Sequence, residues 1–222
     1  ILAVLRALID ALLHLGTSPQ TRGDLYLALV VLLQLLAAPD APSTLVEHAR
    51  AAFGAAADRL ADVVARDALD GADVWKTAAF TLLDRLAAFD PAPRRTSLAR
   101  ILAAQGYLGA TACLVRDLDA ALQDALSPDP PSLNAQYVYE AALAFLGRVA
   151  ASHDGTELLV DAGILDVFAR ADFVALRPDA HDADAADTFL PPAAERYRAL
   201  VRPMLQLLVA MLAHAGAARR SE

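Results

Sequence analysis

The chain has 222 residues, enough for one or two globular domains or for a stretch of a helical stack. Its hydrophobic fraction of 57% is rich in Ala and Leu while aromatics reach only 6%, which favours closely packed helices over sheets. A net charge of −8, with a single lysine, Lys76, among 19 basic residues and no basic stripe, argues against direct nucleic acid binding and against attraction to acidic membrane surfaces.

Residues 1–15 read as an amphipathic helix, with Leu5, Leu8, Ile9, Leu12 and Leu13 on one face and Gly16 as its stop. Thr17 to Gly23 reads as a loop, and Thr21 with Asp24 as a variant capping box. The second helix runs to about Ala37; it is apolar nearly all round and is expected to be buried on several sides. Pro39 and Pro42 break the chain, and Ser43 is placed to cap a long third helix, bent near Gly54 and ended by Gly71. A fourth helix covers Ala72 to Phe89. Ser97 caps a short helix that Gly106 breaks, and the next begins at Tyr107, with a break near Asp117, and ends at Leu126. Three prolines make Ser127 to Ser132 a loop. Asn134 to Ser152 is a strong helix, with His153 and Asp154 placed to stop it and cap its successor. Phe173 to Pro192 turns polar and acidic. In the final helix, Pro203 predicts a kink or a break.

No period-two strand pattern occurs. The chain therefore reads as one all-α segment, residues 1–222, with helix pairs at about 1–38, 43–89, 97–126 and 134–176, a loop at 177–192 and a final helix at 193–215. Ala103-Ala-Gln-Gly106-Tyr-Leu108 and Asp161-Ala-Gly163-Ile-Leu165 share a rhythm: a helix ends, a glycine turns the corner, and a second helix opens on apolar residues. The two glycines lie 57 residues apart, longer than a standard repeat of about 40–47. The expected fold is an irregular armadillo/HEAT-like right-handed α-solenoid segment; a globular helical bundle is the competing arrangement. Ile1 already stands inside an apolar pattern without an initiator methionine, so the chain reads as a piece of something longer. Its strongest apolar run, Leu25 to Pro39, is shorter than a membrane span and contains Gln34, while Arg202 and Pro203 interrupt the last helix, so no transmembrane span is expected.

Chemistry is sparse. His14, His48, His153, His181 and His214 never recur at helical ligand spacing, and no Cys-x-x-Cys exists, so no metal site is expected. Asp179, His181, Asp182, Asp184 and Asp187 lack the glycine and closing glutamate of a calcium loop and read as a solvated acidic stretch. Cys113, the one cysteine, excludes an intrachain disulfide, fits a reducing compartment and reads as a small buried hydrophobe. No nucleophile elbow, dinucleotide fingerprint or P-loop appears, so neither a catalytic set nor a cofactor site is expected and the chain reads as no enzyme. Trp75, Tyr107, Tyr137, Tyr139 and Tyr197 read either as partner anchors or, more commonly, as part-buried rings with a wet polar tip.

An ordered set of segments resembles a known family. Val63-Val-Ala-Arg-Asp-Ala-Leu-Asp-Gly71, Leu82-Leu-Asp-Arg-Leu86, Gln136-Tyr-Val-Tyr-Glu140, Phe145-Leu-Gly-Arg-Val-Ala150, Gly155-Thr-Glu-Leu-Leu159, Arg196-Tyr-Arg198 and Pro203-Met-Leu-Gln-Leu207 are similar, in this order, to the large α-solenoid adaptor nucleoporins of the nuclear pore inner ring. The likeness is to the middle-to-C-terminal part of the larger of two related giant adaptors. What the resemblance implies is a scaffold at the nuclear pore complex of the nuclear envelope, supporting nucleocytoplasmic transport, without catalytic residues. The implied partners are linker and inner-ring nucleoporins, bound through short peptide motifs; no partner-contact residue is assigned by position. A soluble transport receptor or another armadillo-like adaptor is the alternative reading.

Overall fold

The computed structural model describes residues 1–90, 97–178 and 190–218. Of these residues 80% are helical, in 11 α-helices and without a strand, in keeping with an all-α solenoid. The chain divides into two compact units, Ile1–Leu108 and Gly109–Glu222.

The first unit holds α1 (Leu2–Leu13), α2 (Pro19–Leu36), α3 (Ser43–Asp70), α4 (Asp73–Phe89) and α5 (Leu98–Ala104). Each pair folds back on itself through a short connection, and α1 packs on α3 and α3 on α5, while α2 packs on α4. First members of the pairs thus stack on first members and second on second, the arrangement in which a helix pair covers the apolar face its neighbour cannot bury alone. Leu5, Ile9 and Leu12 of α1 are buried, as the spacing predicts, and the buried residues of the same unit include Tyr26, Leu33, Val64 and Phe80. Phe53 of α3 stands edge-on to Phe89 at the end of α4, their centroids 5.8 Å apart, and the Arg50 guanidinium lies 5.3 Å from the Phe89 ring centroid.

Several helix starts differ from expectation. α2 begins at Pro19, not after Gly23; Ser18 is its N-cap, and the Ser18 hydroxyl accepts from the Thr21 amide at 3.1 Å. Proline at the first helical position has no amide to leave unsatisfied and is already set to helical φ. Ser43 is the first residue of α3 and Pro42 its N-cap, and α3 continues unbroken through Gly54. At α5, Ser97 holds the N-cap position, but the Leu98 amide donates to the Asp90 carboxylate at 2.8 Å. An anionic acceptor suits the positive end of a helix better than a hydroxyl does.

The second unit contains most of α6 (Tyr107–Asp117), then α7 (Asp119–Ala125), α8 (Asn134–Val149), α9 (His153–Asp161), α10 (Ile164–Ala169), a 3-10 turn (Asp172–Ala175) and α11 (Ala193–Ala218). α11 packs along α8 and α9, and α7 lies against α8 and the 3-10 turn. Its core gathers Leu122, Tyr139, Phe145, Leu159, Ile164 and Leu200. Ser152, rather than His153 or Asp154, caps α9 by accepting from the Gly155 amide at 3.0 Å. Pro203 does not break α11. Arg196, Leu200, Met204, Leu207 and Met211 form one buried stripe on both sides of it, so packing outweighs the single backbone hydrogen bond that proline removes.

Gly106 and Gly163 have φ of 80° and 79°, and among the described residues no other has positive φ. Both expected corners therefore sit in the left-handed region, which only glycine enters without steric cost. Among the described residues no single helix is long and apolar enough to cross a membrane.

Candidate functional site

Several polar side chains join helices to one another. In the first unit, Arg22 of α2 donates through Nε and Nη2 to the Asp67 carboxylate of α3, at 2.6 and 2.9 Å, and through Nη1 to the Thr17 carbonyl at 2.9 Å. The Tyr26 hydroxyl donates to the same carboxylate at 2.6 Å. Burial, and then the hydrogen bond to Asp67, push the Tyr26 hydroxyl far above its ordinary value, and the bond to Asp67 raises Arg22. A bidentate guanidinium–carboxylate pair with a third donor satisfies most of the lone pairs on the acid. Its donors and its acceptor are spent on one another, between α2 and α3, rather than on a ligand. Nearby, the Tyr107 hydroxyl donates to the Asp62 carboxylate at 2.5 Å, and that bond raises the tyrosine.

In the second unit, Arg196 is 3% exposed, yet its partners are carbonyls: Ala125 at 2.7 Å and Ser127 at 2.8 Å. The guanidinium therefore caps the C-terminal end of α7, where the helix dipole is negative. Burial lowers its affinity for the proton. Asp119, in the first turn of α7, accepts from the Phe173 amide at 3.2 Å and from Gln123 at 2.6 Å.

The residues singled out from sequence scatter. His14, His48 and His153 lie exposed on α1's end, α3 and α9; the first two bond locally, to Gly16 and Thr44, and His153 lies 3.6 Å from Glu157 on its own helix. His214 lies on α11. Among the described residues no group of three His, Cys, Asp or Glu is placed to hold a metal. His181 and the acids Asp179, Asp182, Asp184 and Asp187 lie outside the described residues. Cys113 is exposed, contrary to expectation. It lies on α6 next to the buried Thr111 and Ala112, on a helix face that the apolar run alone does not distinguish from the buried one.

The aromatics divide. Trp75 is part-buried, packed against Gly23 of α2, and Tyr137 is 52% exposed. The Tyr197 hydroxyl donates to the Val174 carbonyl at 2.8 Å. Tyr139 departs from the wet-tip reading: it is fully buried, edge-on to Phe173 at 5.6 Å, with no acceptor for its hydroxyl among the described residues, and burial raises it strongly. The feature missed from sequence is an open apolar face. Leu27, Val31 and Leu35 of α2 are 49%, 55% and 63% exposed, on a helix expected to be covered on several sides. The signal lay in the i, i+4, i+8 recurrence, but spacing cannot say which apolar stripe a neighbour covers.

Stacked helix pairs whose polar side chains are spent on holding helices together define a helical repeat scaffold, with shape and surface as its working parts. Residues 1–221 match the model of a family described as "Nuclear pore complex scaffold, nucleoporins 186/192/205", and the chain belongs to that family. It is 30% identical to the human nuclear pore complex protein Nup205 over a 239-residue alignment that takes in 94% of this chain and 12% of that protein. It is also 30% identical to Drosophila melanogaster Nup205 over 168 residues, 74% of this chain and 8% of that relative. The chain thus spans about a tenth of the length of these curated relatives.

Proposed function

We propose that the chain serves as a structural segment of a nuclear pore complex scaffold, residing at the nuclear envelope and supporting nucleocytoplasmic transport. Membership of the nucleoporin 186/192/205 family along residues 1–221 carries this reading. The stacked pairs of the first unit support it, since a helix stack offers a long surface for partners and asks nothing of its side chains chemically. The partners proposed are other nucleoporins, docked as short peptide motifs on apolar helix surfaces, with basic flanks matching the net charge of −8. A right-handed sense for the stack is part of the same proposal. No reaction is assigned, in line with a scaffold family.

The test is capture by the immobilised 222-residue chain from nuclear envelope extract, read by mass spectrometry. Recovery of scaffold and linker nucleoporins is expected. Recovery of transport cargo without nucleoporins, or turnover of a small-molecule substrate, would overturn the reading.

A further inference from the structure

The open face of α2 has a defined chemistry. Leu27, Val31 and Leu35 form a stripe roughly 12 Å long on the side opposite the residues that α2 buries, such as Tyr26 and Leu33. Exposed Asp24 stands one turn before the stripe, and exposed Asp40 follows the helix end. The one cation in α2, Arg22, is bound to Asp67 and turned away from the stripe. An apolar stripe framed by anions selects its occupant by charge as well as by shape. A second copy of α2 is a poor match: packed antiparallel it brings Asp24 to the end that carries Asp40, and packed parallel it sets Asp24 beside Asp24. Anionic lipid is repelled for the same reason.

We propose that the Leu27–Val31–Leu35 face of α2 is the docking site for an amphipathic helix whose apolar residues recur at i, i+4 and i+7 and whose ends are basic. This rests on the peptide-docking reading above and names its place and partner chemistry. The occupant lays about four to five turns along α2, its apolar side on Val31 and its cationic ends at Asp24 and Asp40.

Two fluorescent helical peptides of about 18 residues, identical in their leucines and ending in lysine pairs or in glutamate pairs, are titrated against the 222-residue chain by anisotropy. The lysine-ended peptide is expected to bind and the glutamate-ended one to bind at least about tenfold more weakly. Val31→Ser, on an exposed position, is expected to weaken the lysine-ended peptide about tenfold with the helical circular dichroism unchanged, and Asp24→Asn to weaken it and flatten its salt dependence. Equal binding of the two peptides overturns the charge match. Binding that Val31→Ser leaves intact overturns the location while peptide docking elsewhere on the chain stands. A chain that binds neither peptide yet captures nucleoporins overturns this site alone, and one that captures no nucleoporin overturns the parent reading. A dimer in light scattering that Val31→Ser dissolves assigns the face to a second copy and overturns the proposal.

Discussion

The six-membered ring of Trp75 on α4 occupies the space where a side chain on Gly23 of α2 would stand. Glycine inside a helix costs about 1 kcal/mol relative to alanine, and the close approach of the two helices is what that cost secures. Gly23→Ala is therefore expected to destabilise the chain by about 2 kcal/mol, despite its better helix propensity, because the ring must shift in a packed site. Trp75→Ala in the Gly23→Ala background should recover part of the loss. Urea denaturation of the two single variants and the double variant measures it, and a Gly23→Ala chain as stable as the parent contradicts the contact.

The Asp67 hub predicts a second asymmetry. The Arg22 and Asp67 side chains are 20% and 16% exposed, so the pair is largely shielded from solvent. Asp67→Ala leaves a guanidinium and a hydroxyl without their acceptor and is expected to cost about 3 kcal/mol. Tyr26→Phe removes one donor and should cost about 1 kcal/mol. Denaturant midpoints of the two variants give the comparison, and equal losses would show that the hydroxyl, not the ion pair, dominates.

Alkaline stability follows from the buried tyrosines. Tyr26 and Tyr139 are held protonated above the ordinary value of 10.0, chiefly by burial. Above that pH the unfolded chain releases these protons while the folded chain keeps them. The folded state then binds more protons than the unfolded one, and stability, complete below the ordinary value, falls as pH rises. Denaturation at about pH 8 and about pH 11 is expected to show the fall, and a Tyr26→Phe, Tyr139→Phe chain to show a shallower one. An unchanged slope would place both hydroxyls in contact with water.

Arg196 offers a fourth test. Its two carbonyl acceptors lie at the end of α7 and in the loop that follows. Arg196→Met keeps the buried stem and removes the cap, with an expected loss of about 2–3 kcal/mol. Limited proteolysis between Ser127 and Ser132 should quicken in the variant. Unchanged cleavage with reduced global stability would mean that the guanidinium matters to α11 rather than to the loop.

Much of this was legible in the residues. Ala- and Leu-rich periodicity identified the helices, and Gly106 and Gly163 marked the corners because only glycine turns the chain there without strain. The ordered segments from Val63 to Leu207 pointed to the family that residues 1–221 match. Helix starts were less legible. Ser18 and Thr21, Ser97 and Asp90, and Ser152 and Asp154 are pairs of competent caps that differ by about 1 kcal/mol, and neighbouring structure chooses between them. Asp90 lies eight residues from the amide it caps, beyond any capping rule read from adjacent positions.

The sequence by itself determined an all-helical chain, its glycine corners, its acidic balance and its kinship, since these depend on local backbone preference and on residue identity. The tertiary structure alone decided which apolar stripes are covered. α2 carries leucine and valine on every side, and the positions of α1, α3 and α4 leave Leu27, Val31 and Leu35 open while Tyr26 and Leu33 are shut in. It also decided that Pro203 stays inside a continuous helix and that Cys113 faces outward. Burial depends on contacts between residues far apart in the chain, and a periodic pattern that is hydrophobic all round carries no information about which of its faces will meet them.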